Sequence, residues 1–189
     1  MTVEDVTALR NACIENASEL IEEARILAER SRWARAFELA YFAREELAKA
    51  DLLAVTLHML FADPDSVDWD RFRKRWEDHK SKSRDAIFTD FLAEEIFVLG
   101  KLAGVELEVQ KEGDQAAALR KKREAALYVD VRNGVQKPST TISEGDARSA
   151  IETAERQLGI AIEMGKEYAE LTPERARELI EQARHIDKT

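Results

Sequence analysis

Residues 33 to 61 constrain the fold more than any other stretch, because their apolar side chains are spread around the whole of a helical wheel. Between Trp33 and Phe61 lie Phe37, Tyr41, Phe42, Leu47, Leu52, Leu53, Val55, Leu57, Met59 and Leu60. A helix that is apolar on every side can hide that surface only inside a ring of other helices. An all-α bundle follows, with this segment as its most buried member. Polar groups carried into such an interior need partners: Arg44, Glu45, Glu46, Lys49, Asp51 and His58. Glu46 and Lys49, three apart, share a face with Phe42 and Leu53. They read either as an ordinary helix ion pair, worth about 0.2–0.5 kcal/mol, or as groups orienting a buried polar site. Spacing does not favour one over the other.

The rest of the composition agrees with long helices. Of 189 residues, 35% are charged and only seven are Gly and three Pro, which disfavours turn-rich β architecture. No apolar run approaches the roughly 18 residues of a membrane span. The acidic N-terminus lacks a signal-peptide n-region. A cytoplasmic protein with no membrane association is expected. The single cysteine, Cys13, excludes a disulfide framework and a cysteine-cluster zinc site. A net charge of −9 argues against general coating of nucleic acid, but leaves room for a local basic site.

In chain order, Val3, Val6, Leu9, Cys13, Ala17, Leu20, Ala24 and Leu27 step by three and four, predicting an amphipathic helix from about 3 to 29. Ser31 either caps the next helix or lies within a continuing one. Asp63-Pro64-Asp65-Ser66 stops the central helix, and Ser66 or Asp68 caps its successor. Apolar residues continue from Ile87 through Leu99 to Gly100 and Gly104, and residues 105 to 114 suit a short extended loop. Another helix is expected from Gln115 to about Val131. Asn133-Gly134 marks a turn, and Lys137-Pro138 should keep the chain out of helix. Ser143-Glu144-Gly145-Asp146 forms a capping box for a helix running through Gly165. Thr172-Pro173-Glu174 opens the last, which should bury Leu179, Ile180, Ala183 and Ile186. One domain is expected over residues 1–189, with a core from about 3 to 140 and a C-terminal helical extension from about 143 to 187.

Chemistry concentrates elsewhere, between Trp69 and Arg84. From Arg71 to Arg84 seven Lys or Arg stand against two acids. Trp69, Phe72 and Trp76 fall at helical spacing, and His79 and Ser83 continue their stripe. Arg75 stands one turn before His79, and Lys82 about one turn after it. The plain reading is a satisfied core histidine within a solvated basic face. The chemical reading is phosphodiester cleavage: an imidazole exchanges a proton while cations stabilise the charge developing on phosphorus-bound oxygens. With RNA the ribose 2′-hydroxyl serves as nucleophile, so neither metal nor cofactor is required. Neighbouring cations would lower the histidine's pKa and keep it neutral near pH 7. His58 lies in the apolar helix and His185 near the C-terminal end, so His79 alone has basic company. Other site classes lack their parts: there is no Glu-x-x-His for a dimetal bundle, no glycine-rich phosphate loop and no nucleophile elbow.

Arg73-x5-His79 fits the Arg-x(4–6)-His pattern of the HEPN ribonucleases. The order of blocks is more specific. Glu45-Glu46-Leu47-Ala48-Lys49-Ala50 precedes Trp76-Glu77-Asp78-His79-Lys80-Ser81-Lys82. Then comes Arg123-Glu124-Ala125-Ala126-Leu127-Tyr128-Val129-Asp130, with Gly134 and Pro138 downstream. This order resembles the AbiV family of abortive-infection proteins over roughly residues 15 to 140. The resemblance implies an all-α HEPN-like helical bundle with additional C-terminal helices, a role in phage defence, and a phage-encoded trigger. It implies homodimers whose His-bearing helices face each other, acting on RNA as toxins. His79 would be the acid–base group, with Arg73, Arg75 and Lys82 as its cations. Glu46, Lys49, Lys80, Arg123, Tyr128 and Asp130 would orient these groups or line the RNA cleft.

Two matters stay open at this level. At about 100° per residue Arg73 points away from His79 whereas Arg75 shares its face, yet Arg75 departs from the motif's spacing. Either Arg73 serves the site of a second subunit, or Arg75 does the local work. Arg123 and Asp130 share the stripe of Leu119, Ala126 and Leu127, an awkward place for charges unless they are paired or used. The rival to an RNA-cleaving dimer is a non-catalytic HEPN module that binds protein or nucleotide, and a third reading is a plain helical scaffold.

Overall fold

The computed structural model describes residues 1–78, 121–131 and 135–186. The expectations placed on His79, Lys80 and Lys82, on the apolar run through Leu99, on residues 105 to 114 and on the Asn133-Gly134 turn lie outside these residues. So does the Arg75 side chain, although its backbone is helical.

Helix α1, Val3–Glu29, starts on a reciprocal cap. The Asp5 amide donates to the Thr2 hydroxyl at 3.2 Å and the Thr2 amide donates to the Asp5 carboxylate at 2.9 Å, satisfying two otherwise orphaned donors. Of its expected stripe Val6, Cys13, Ala17 and Ala24 are buried and Val3, Leu9, Leu20 and Leu27 half-buried, while Ile21 and Ala28 beside it are also inside. The helix closes on a Schellman motif. The Arg32 amide donates to the Leu27 carbonyl at 2.8 Å and the Ser31 amide to that of Ala28 at 2.9 Å. Ser31 carries the left-handed residue of that motif, at φ 56°. It therefore ends α1 and does not cap the helix that follows.

Helix α2, Trp33–Ala62, is the interior element that its sequence demands. Of its thirty residues only Arg35 is exposed, and Leu47, Leu53 and Leu57 are among the most deeply buried side chains described. Full burial contributes about 1.5–3 kcal/mol for each such leucine. Polar side chains inside it bond to backbone where they can. The Thr56 hydroxyl donates to the Leu52 carbonyl at 2.8 Å, and Arg177 Nε donates to the terminal carbonyl of Ala62 at 3.1 Å. The chain then turns at Asp63, whose carboxylate accepts from the Asp65 amide, through a single 3₁₀ turn at Pro64–Ser66. Helix α3, Trp69–Asp78, is capped by Asp68, not Ser66: the Asp70 and Arg71 amides donate to its carboxylate at 3.1 and 2.9 Å.

Residues 121–127 are helical (α4) and end earlier than the pattern suggests. The expected continuation to Val131 gives way to an antiparallel bridge in which Asp130 and Gln136 exchange both backbone hydrogen bonds, at 3.0 and 2.8 Å. Val129 and Val131 are stiff, β-branched residues that suit this extended arrangement. A second correction concerns Pro138, which opens the one-turn helix α5, Pro138–Thr141. A proline is harmless at the first helical position because the missing N–H would have no partner there.

Helix α6, Glu144–Ala169, begins on the expected capping box, with Ser143 and Asp146 bonded reciprocally. The Asp146 carboxylate is partly buried, but bonds from Lys122 and Ser143 more than offset this and hold its pKa down to about 2. Helix α7, Pro173–Ile186, is capped by the Thr172 hydroxyl, which accepts from the Arg175 amide at 3.2 Å. Ala176 on α7 is buried, and Leu179 and Ile180 are half-buried.

The chain divides into two compact units. One comprises Met1–Asn11, Ala48–Gly113 and Met164–Thr189, the other Ala12–Leu47 and Asp114–Glu163. In the second unit one apolar cluster gathers Ala28, Phe37, Ala40, Ala126, Ile142 and Ile151. Another gathers Ala17, Ile21, Leu47, Ala154 and Ala161. Contacts between small alanines let the helix backbones approach closely.

Candidate functional site

The first unit holds the basic helix. On α3 the apolar stripe is a stack of rings: Trp69 meets Phe72 edge-on at 5.6 Å, and Phe72 lies nearly parallel to Trp76 at 5.9 Å. Phe72 is buried and both tryptophans are half-buried. Such pairs add about 0.5–1.5 kcal/mol each beyond their burial. From α2 the Lys49 ammonium stands 5.6 Å above the Trp76 ring, a cation–π contact worth about 0.5–2 kcal/mol. The rotation of α3 about its axis is thus set by three rings and one cation. Arg71, Arg73 and Lys74 face solvent. Arg73 pairs with Asp70 on its own helix, and an exposed pair of this kind contributes about 0–1 kcal/mol. Asp70 therefore does little to withhold Arg73 from an anion.

The same unit buries a second polar group. Arg10 lies inside, its guanidinium 5.0 Å from the Tyr168 ring centre, in space left by the missing side chain of Gly165. Asp51 acts on Arg10 as a countercharge; burial pushes that carboxyl up to about 7, with Arg10 pulling the other way. Burial also raises Tyr168, whose ring meets His58 edge-on at 4.9 Å. His58 is buried, which depresses its pKa, and its Nδ1–H donates to the Ala54 carbonyl at 3.1 Å. It is a buried histidine bonded within its own helix.

The second unit answers the question posed by Arg123. Its guanidinium lies between Glu38 and Glu45 of α2, Nε donating to Glu38 at 3.3 Å and Nη1 to Glu45 at 3.4 Å. It also faces the rings of Tyr41 at 4.9 Å and Phe42 at 5.2 Å. The Arg123 side chain is 12% exposed and that of Glu38 4%. Burial works against the cation, but Glu45 and Glu38 outweigh it and raise its pKa. For Glu38 the balance runs the other way: desolvation exceeds the pull of Arg123, and its pKa rises. One Glu38 oxygen, Oε2, has no hydrogen-bond partner among the described residues.

Glu38 is absent from the sequence-derived set, although one signal pointed to it. It is the only acid between Arg30 and Arg44 and stands seven residues before Glu45, on the same face of a helix with almost no exposed surface. Glu46 and Asp130 are half-buried, and Asp130 is engaged through its backbone with Gln136. Tyr128 is 62% exposed, in reach of a ligand from solvent. The structure thus brings Arg123 into a cluster with Glu38 and Glu45, and Lys49 into contact with Trp76.

Among the described residues no group of three or more His, Cys, Asp or Glu side chains could hold a metal ion. Nor is any helix there long and apolar enough to cross a membrane. No curated protein and no solved structure matches the chain. A family model does match, that of the HEPN-domain AbiV proteins, over residues 5–159. That span covers most of the 189 residues, including α2, α3, His79 and the Arg123 cluster, and the helical architecture is the one a HEPN domain requires: the chain belongs to the AbiV family of HEPN proteins.

Proposed function

We propose that this protein is an antiphage abortive-infection protein that acts as a homodimer and cleaves RNA without a metal ion. The observation that carries the reading is the family match across residue 79, where Arg73 and His79 stand in the HEPN spacing. The packing of α3 adds to it. Three rings and Lys49 hold one side of the helix, and Arg71, Arg73 and Lys74 face solvent.

In this mechanism the His79 imidazole takes the proton of the ribose 2′-hydroxyl as that oxygen attacks phosphorus. It or its counterpart in the second subunit returns a proton to the departing 5′-oxygen. Arg75, Lys82 and Lys80 hold the phosphate and stabilise its developing charge. Arg73, solvent-facing on α3, serves the second subunit's site. Lys49 acts through Trp76, and Tyr128 offers an exposed ring to the RNA. Arg123 acts indirectly, by tying α4 to α2 through Glu38 and Glu45.

The rival reading, a non-catalytic HEPN module binding protein or nucleotide, draws on one observation: Arg123 is fully engaged with its own chain. An RNA-cleavage assay on wild type and His79→Ala separates the two. Loss of about 10²-fold or more in a folded variant, with wild-type activity surviving EDTA, is the expected result. Equal cleavage by both proteins, or strict dependence on added metal, would refute the assignment.

A further inference from the structure

The second unit carries a groove that is open among the described residues. It lies between α1 and α6, has a volume of about 460 Å³, and has Ile21, Leu158 and Gly159 among its lining residues. Ile162 on its rim is 48% exposed. A glycine in the middle of a helix weakens that helix relative to alanine. Where one is retained, a neighbour usually needs the room, as Arg10 does at Gly165. At Gly159 no such neighbour stands among the described residues: a Cβ built there meets nothing within 4 Å. Among those residues the space is open.

The field around the groove states the chemistry of the occupant. Residues 15–25 of α1 and 152–163 of α6 carry seven acids and two bases. One of those bases, Arg25, bridges the groove to Glu155 and is neutralised there. Glu15, Glu19, Glu22 and Glu23 are all exposed on α1. An apolar floor with a side-chain gap, set in a predominantly acidic field, matches a helix that brings apolar anchors on one face and cations beside them.

We infer that the α1–α6 groove is a docking site for a basic amphipathic helix of a partner protein, with the partner's apolar anchor seated over Gly159. The site is independent of RNA cleavage and stands whether or not the protein is a ribonuclease.

The test uses the full-length protein and two fluorescein-labelled 18-residue helical peptides. Both present leucines at positions i, i+3, i+4 and i+7; one carries lysines and arginines on its remaining face, the other glutamates. Fluorescence anisotropy should report saturable binding of the basic peptide, weakening as salt is raised, and at least tenfold weaker binding of the acidic one. Gly159→Leu should fill the gap and weaken the basic peptide at least tenfold. Its Tm should not fall, since a Cβ there meets nothing within 4 Å among the described residues and leucine favours helix over glycine. Glu22→Lys should weaken binding as well, whereas Glu4→Lys, an equal charge change at the start of α1, should shift it less than twofold. Three outcomes overturn the proposal: unchanged affinity in Gly159→Leu, equal binding of the two peptides, or equal effects of Glu4→Lys and Glu22→Lys. Self-association of the wild type that Gly159→Leu abolishes would assign the groove to a second copy of the chain and overturn it likewise.

Discussion

Replacing Arg123 by Met keeps the length of the side chain and its packing on Tyr41 and Phe42 but removes the cation. Glu38, with a side chain only 4% exposed, then loses its hydrogen-bonded countercharge and keeps only the weaker pull of Arg35. It cannot remain ionised cheaply, so it takes up a proton. Protonation caps the penalty. Each pH unit above the ordinary Glu value of about 4.3 contributes about 1.4 kcal/mol, so the ceiling is about 3.7 kcal/mol at pH 7 and about 1 kcal/mol at pH 5. Part of this burden is already present in the wild type, where Glu38 is raised despite Arg123. Loss of the two cation–π contacts adds about 1 kcal/mol that does not depend on pH. Glu45, 21% exposed, turns to solvent and adds little. Arg123→Met should therefore lower stability by about 2–4 kcal/mol at pH 7 and by about 1–2 kcal/mol at pH 5. The sign follows from linkage: a carboxyl whose folded pKa lies above its unfolded value loses stability as pH rises between the two. Urea unfolding at both pH values measures it, and adding Glu38→Gln to Arg123→Met should remove the pH-dependent part. A deficit equal at pH 5 and pH 7, or below 1 kcal/mol at pH 7, would refute the reasoning.

Ser31→Gly should raise stability by about 0.5–1 kcal/mol in chemical unfolding, because the Schellman position has φ 56° and only glycine adopts it without penalty. Gly159→Ala should gain about 1 kcal/mol from helix propensity, whereas Gly165→Ala should gain nothing or lose stability, its Cβ standing 3.1 Å from Arg10 Nη1; paired thermal melts decide. Asp51, raised to about 7 by burial, should cause wild-type stability to fall as pH climbs from about 4 toward 7. Asp51→Asn should flatten that slope, and an unchanged slope would place the carboxylate in contact with solvent.

What could be read in the sequence was whatever depends on local pattern. The all-round apolarity of α2, the Asp63-Pro64 stop and the Ser143-Asp146 box each involve residues within a turn or two of one another, where periodicity and capping chemistry act. Ser31 was harder. A serine before a helix ordinarily reads as an N-cap, and only the backbone bonds back to Leu27 and Ala28 show that it belongs to the helix behind it. The early end of α4 was hidden for a related reason: the strand preference of Val129 and Val131 competes with a helical stripe, and pairing of Asp130 with Gln136 decides. The partners of Arg123 lie 78 and 85 positions away. The stripe showed that this charge needed acids, but no local rule could choose Glu38 and Glu45 among 38 acids.

The central claim, that RNA is cut through its own 2′-hydroxyl with no metal, is tested most directly on one oligonucleotide made in two forms. One is RNA throughout; the other carries a single 2′-deoxynucleotide immediately 5′ to a mapped cut. In EDTA the wild-type protein should cut the first and leave a 2′,3′-cyclic phosphate at each new end. The substituted position should stay intact while other positions are still cut. Cleavage at the 2′-deoxy position at the unmodified rate, or products bearing 3′-hydroxyl ends, would contradict it.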